Sequence, residues 1–240
     1  MAASKTKTHA KQDGFTHYAR GSMGFLVELT ENNDRQWFKD NQPRYESLVR
    51  EPTRAFVRAM APRIEKLSPH LVASDSKVGG SMMRPQRDTR FARDKTPYKT
   101  NVGVQFRHIA GKDVHAPGLY VHMDPAEVFV GVGMWHPDGP SLQAIRKAID
   151  EDPKGWKRAR DQAAFTSLFE LSGDSLKRPP KGYDADHPLL EDLKRKDFIG
   201  ISHMKVGDLF KPGFVGEVER RFKAGKGLMR FLCKAIDQPF

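Results

Sequence analysis

The spacing of apolar residues changes period twice along this chain, and those two changes constrain its fold more than any other feature. From Phe25 to Leu67 the apolar positions recur at helical intervals. Phe25, Leu26 and Leu29 form one stripe, and a second helix is expected from about Asp34, capped by Thr30 or Asn33. A third is expected to open at Glu51-Pro52 and to turn Phe56, Val57, Met60 and Ile64 inward. Pro62 lies within that stripe and predicts a kink or an early end.

Beyond Pro69 the period becomes two. Val102, Val104 and Phe106 alternate with Gly103, Gln105 and Arg107, which is the pattern of a half-buried strand. Gly118–Met123 and Val128–Trp135 read as two more strands, with turn chemistry at Gly111 and Asp124-Pro125. Gly131 and Gly133 share one face of the third strand and leave its backbone bare; close helix packing is the expected reason, a ligand floor the alternative.

Helical spacing resumes at Ser141, read as a cap. It continues over Gly155–Leu171, Pro188–Lys196, Gly207–Phe210 and Val215–Ile236, the last with possible breaks at Gly225 and Gly227. Strands in one run with helices before and after predict an α+β fold: an antiparallel sheet of roughly four or more strands flanked by N-terminal and C-terminal helices. Residues 21–240 are expected to form a single domain, and residues 1–20 a disordered basic tail.

Charge narrows the functional classes. The 240 residues carry 41 Lys+Arg and 30 Asp+Glu, a net charge of +11, which favours an anionic partner. Nearly half of that excess falls in residues 81–120, with 8 basic and 3 acidic residues. No apolar run is long enough for a membrane span, and no membrane partner is expected. The stretch MAASKTKTHAKQDGF has neither the apolar core of a signal peptide nor the arginines of a transit peptide. With Cys233 as the one cysteine, a disulfide framework is excluded and a reducing, cytoplasmic setting is expected.

Within the basic region, Arg84–Thr100 (RPQRDTRFARDKTPYKT) sets six basic residues against Asp88 and Asp94. Guanidinium forks match carboxylate and phosphate oxygens, so the segment is the candidate site for a small phosphorylated or carboxylated ligand. Arg87, Arg90, Arg93 and Lys99 are the expected anion contacts, Lys95 and Tyr98 possible proton-transfer groups, and Asp88 and Asp94 the residues that orient the arginines. A purely structural network of Arg-Asp bridges explains the same composition. The alternative partner is a nucleic acid or other polyanion, with Trp37, Phe38, Phe91 and Tyr98 as stacking surfaces.

His122 and Asp124 have the two-residue spacing found in iron oxygenases, for which His136, His187 or His203 would supply a third ligand. That pattern is too short to assign a metal, and none is assigned. No Walker loop, dinucleotide fingerprint, HExxH or GxSxG is present, so neither a cofactor nor a reaction is assigned. Cys233 lies on the apolar face of the terminal helix and reads as core.

Four strings carry a family resemblance: NNDRQWFKDNQPRYE at Asn32–Glu46, RDTRFARDKTPYKT at Arg87–Thr100, VGVGMWHP at Val130–Pro137 and PPKGYDADHP at Pro179–Pro188. Together they resemble the bacterial and fungal family known as domain of unknown function 2461, in the same order over roughly residues 23–235. The resemblance implies a single intracellular domain and no assigned activity.

Overall fold

A computed structural model describes residues 14–111 and 116–240. Its helices are α1 (Arg20–Glu31), α2 (Arg35–Asp40), α3 (Gln42–Tyr45), α4 (Glu51–Leu67), α5 (Gly139–Glu151), α6 (Pro153–Asp161), α7 (Ala163–Thr166), α8 (Leu190–Leu193), α9 (Phe214–Ala224) and α10 (Lys226–Ala235). The strands are β1 (Leu71–Val72), β2 (Val102–His108), β3 (Gly118–Met123), β4 (Val128–Met134), β5 (Glu170–Ser172) and β6 (Phe198–Met204). Among the described residues these strands form one antiparallel sheet in the order β1-β2-β3-β4-β6-β5. The fold is therefore α+β.

Helices pack on one face of the sheet. Val104 and Phe106, Leu119 and Val121, and Val128, Val130 and Val132 are fully or almost fully buried on that side. Phe106 meets Phe222 of α9 edge to face at 5.8 Å, and Phe198 of β6 meets Trp156 of α6 at 5.9 Å. A Cβ on Gly225, between α9 and α10, would lie 2.7 Å from a Val132 methyl, so the glycine lets that junction sit directly on β4. This is also where the expected Val215–Ile236 helix divides.

Several local expectations are corrected. The cap of α2 is Asp34, which accepts from the Trp37 amide, and the cap of α5 is Asp138, which accepts from the Ser141 amide. Helix α4 runs through Pro62 to Leu67. Its proline ring is exposed, and the burial of Phe56, Val57, Met60, Ile64 and Leu67 outweighs one lost hydrogen bond. Each such side chain contributes about 1.5–3 kcal/mol, against about 3 kcal/mol for an internal proline. The helix expected over Gly155–Leu171 ends at Thr166, and Glu170–Ser172 pairs with β6 as an edge strand. Of the expected tail, residues 1–13 lie outside the described residues. Phe15 and Tyr18, assigned to it from sequence, pack edge to face at 5.1 Å, and Tyr18 is buried against Phe56 and Phe214.

Asp197, just before β6, is the most heavily used buried carboxylate. It accepts from the His136 amide (2.7 Å) and from the Asp174 amide (2.8 Å) and lies 3.0 Å from His136 Nδ1, joining the ends of β4, β5 and β6. Asp197→Ala would remove the acceptor of two part-buried amides and is expected to cost about 1–3 kcal/mol. Urea unfolding checks this, with a lowered midpoint and an unchanged slope.

Candidate functional site

The sheet face opposite the helices is the open one. Reading across it, the pairing registers align Gln105, Tyr120, Gly131 and Ile201 in one row and Gly103, His122, Phe129 and His203 in the next. Alternation along β4 puts Phe129, Gly131, Gly133 and Trp135 on this side, so the strand is apolar on both faces. A cleft of about 480 Å³ lies here, walled by Met83 and Lys99 on one side and by Trp135, Ile199 and Ile201 on the other.

The two β4 glycines face the cleft, which corrects the expectation that helix packing requires them. Gly133 has φ +124°, and a Cβ there would fall 2.1 Å from the Phe198 carbonyl oxygen, so the approach of β6 demands glycine. A Cβ on Gly131 would meet Ile201 and Tyr120 at 3.6 Å, an ordinary contact; its missing side chain leaves floor space. At Gly103 the Tyr120 hydroxyl would be 2.7 Å from an added Cβ, so that glycine lets the tyrosine lean across β2. Burial pushes the Tyr120 hydroxyl up to about 12, which keeps it protonated at neutral pH.

The arginine-rich segment forms a folded-back loop beside this cleft. Arg87 N donates to Pro97 O and Lys99 N to Pro85 O, at 2.9 and 2.7 Å. Asn33 fastens its base, donating to Tyr98 O at 2.9 Å and accepting from Tyr98 N at 3.0 Å. The Tyr98 ring stacks on Phe38 at 3.9 Å, and Lys95 Nζ donates to Thr89 O at 2.9 Å. Neither residue lines the cleft.

The arginines divide by partner. Arg87 is paired with Asp94 and with the Thr96 hydroxyl, and Arg90 with Asp88 at 2.7 and 3.0 Å. The hydrogen bond from Arg90 holds Asp88 down at about 2, and that from Arg87 does the same for Asp94. Arg84 and Arg93 are exposed and make no hydrogen bond or ion pair among the described residues. Lys99 is different. Its side chain is half-buried on the cleft wall, its ammonium has no hydrogen bond or ion pair among the described residues, and burial, helped by nearby Arg84, lowers its pKa. Of the anion-site residues expected in the arginine-rich segment, Lys99 alone lines the cleft.

Three of the four aromatics proposed for base stacking are engaged elsewhere. Trp37 packs on Phe25 at 5.6 Å, Phe38 is buried, and Tyr98 covers Phe38, which leaves Phe91 exposed on the loop. The distant histidines also separate: His136 pairs with Asp197 and His187 with Asp150, while His203 sits across Phe129 from His122. Cys233 is buried in the core, where desolvation raises its thiol to about 12.

Tyr120, Phe129, Trp135, Ile199 and Ile201 were not singled out from sequence as site residues. The signal available was the double-sided apolar character of β4. Among the described residues, no helix is long and apolar enough to cross a membrane. No curated protein and no solved structure matches the chain. One family model, described as "Conserved hypothetical protein (DUF2461)", matches residues 21–231, and the chain belongs to that family.

Proposed function

We propose that the open sheet face binds a small carboxylated molecule with a flat apolar portion, the carboxylate meeting Lys99 and the apolar part lying over Gly131 between Tyr120 and Ile201. The observation that carries this reading is the half-buried Lys99 ammonium, without a partner among the described residues, on the wall of a largely apolar cleft. A buried cation without a counter-ion is costly, and a ligand that supplies one recovers that cost on binding. A volume of about 480 Å³ falls within the range of small-molecule sites. A monocarboxylate balances one ammonium, whereas a phosphate dianion would leave charge uncompensated in the same surroundings. Arg87 and Arg90, engaged with Asp94 and Asp88, then serve to shape the loop that presents Lys99. No reaction is assigned.

Calorimetric titration with benzoate and indole-3-acetate tests this reading, with inorganic phosphate as the comparison. Binding of either carboxylate is expected. Lys99→Ala should weaken it about tenfold, a loss of about 1.4 kcal/mol. Gly131→Leu should abolish it while leaving the unfolding temperature within a few degrees, because an added Cβ makes only ordinary contacts with Ile201 and Tyr120. Absence of binding by both carboxylates, or binding indifferent to both substitutions, would refute the assignment. The charge state of Lys99 adds a pH dependence. Carboxylate affinity should fall as pH rises through the lowered Lys99 pKa, beginning below the ordinary lysine value of about 10.4.

A polyanion reading draws on Arg84, Arg93 and the exposed Phe91, which share one loop. Under it, oligothymidylate would bind with an affinity that falls steeply with salt and drops further in an Arg84→Ala, Arg93→Ala double variant. The carboxylate titration is expected to be far less sensitive to salt, because its ion pair is half-buried.

A further inference from the structure

We infer that His122, Asp124 and Glu127, at the β3–β4 turn, form a binding site for one divalent transition-metal ion, taken up by His122 Nε2 and one oxygen from each carboxylate. Those donors lie within 4.8 Å of one another, with Nε2 at 3.0 Å from Asp124 Oδ2 and 3.9 Å from Glu127 Oε1. Donors bound to a common ion at about 2.0–2.2 Å sit roughly 3–3.5 Å apart, so small side-chain rotations bring all three into one coordination shell.

The turn itself supplies two of the ligands. Asp124 Oδ1 accepts from the Ala126 and Glu127 amides at 2.6 and 2.7 Å, which fixes the carboxylate and turns Oδ2 toward His122 Nε2. The imidazole is held in place independently. It stacks parallel on Phe129 at 4.6 Å, and Nδ1 lies 3.3 Å from the Tyr120 hydroxyl and 3.5 Å from Asn101 Nδ2, so the ring is held with Nε2 toward the carboxylates.

Charge supplies a separate indication. In a chain with 41 Lys+Arg, neither Asp124 nor Glu127 is ion-paired with any lysine or arginine among the described residues. The two carboxylates carry the charge that a dication balances. The mixed nitrogen and oxygen donor set suits manganese, iron or zinc better than magnesium or calcium. His122 also lines the open-face cleft, so the bound ion would sit at its end, remote from any contribution of the sheet's helical side.

The test uses the untagged full chain and Mn²⁺, whose free-ion electron paramagnetic resonance signal disappears on binding. One ion per chain is expected to bind, to be displaced by Zn²⁺ and to resist excess Mg²⁺. Glu127→Gln, at an exposed position, and Asp124→Asn, which keeps the turn's acceptor, should each weaken binding about tenfold or more; His122→Asn should remove it. Circular dichroism melting verifies that the variants are folded, and the Glu127 variant reports on the site even where another unfolds. Failure of the wild-type chain to bind Mn²⁺ or Zn²⁺ overturns the inference. So does binding that survives Glu127→Gln and Asp124→Asn unchanged.

Discussion

The passage of β6 alongside the end of β4 is the constraint on which the two faces of the sheet depend. The Phe198 carbonyl occupies the space where a side chain at position 133 would begin, so the pairing of Gly133 with Ile199 exists only because that residue is glycine. The same pairing carries Phe198 into the helical layer against Trp156 and turns Ile199 and Ile201 toward the open face. Asp197 locks the corner by gathering donors from the ends of β4 and β5. Core and cleft are two sides of one strand contact.

Electrostatics across the molecule are uneven in a way the net charge conceals. Arg87 and Arg90 spend their charge on loop carboxylates one turn away, in exposed pairs that contribute little to stability. Among the described residues, Lys99 stands unpaired against an apolar wall, and Asp124 and Glu127 pair with His122 and with no lysine or arginine. These groups lie around the open sheet face.

How much of this could be read in the sequence varied with the number of constraints acting on each segment. The bounds of β3, Gly118–Met123, are those the alternation predicts, because one face is core and the other half-exposed along its whole length. Strand β6 escaped the periodicity because its helix-facing positions include Gly200 and Ser202. The glycine makes room for Phe165 and Phe169, and Ser202 accepts from buried Arg221, so contacts distant in sequence stand in for apolar residues. At the candidate site, Lys99 and the β4 glycines were visible as residues. Their common location was not, since it requires the β2–β3–β4–β6 register. Glu127 was overlooked because the expected third ligand was a histidine, whereas the tight turn brings a carboxylate back to His122 within five residues.

Both outer strands of the sheet are short, with β1 only Leu71–Val72 and β5 only Glu170–Ser172. Such edges offer too few free backbone groups for another chain to add a strand. A ligand on the open face would therefore meet side chains and bared glycine backbone rather than a strand edge. This favours compact ligands over extended peptides, and it lets the protein display a wide apolar surface without templating its own aggregation.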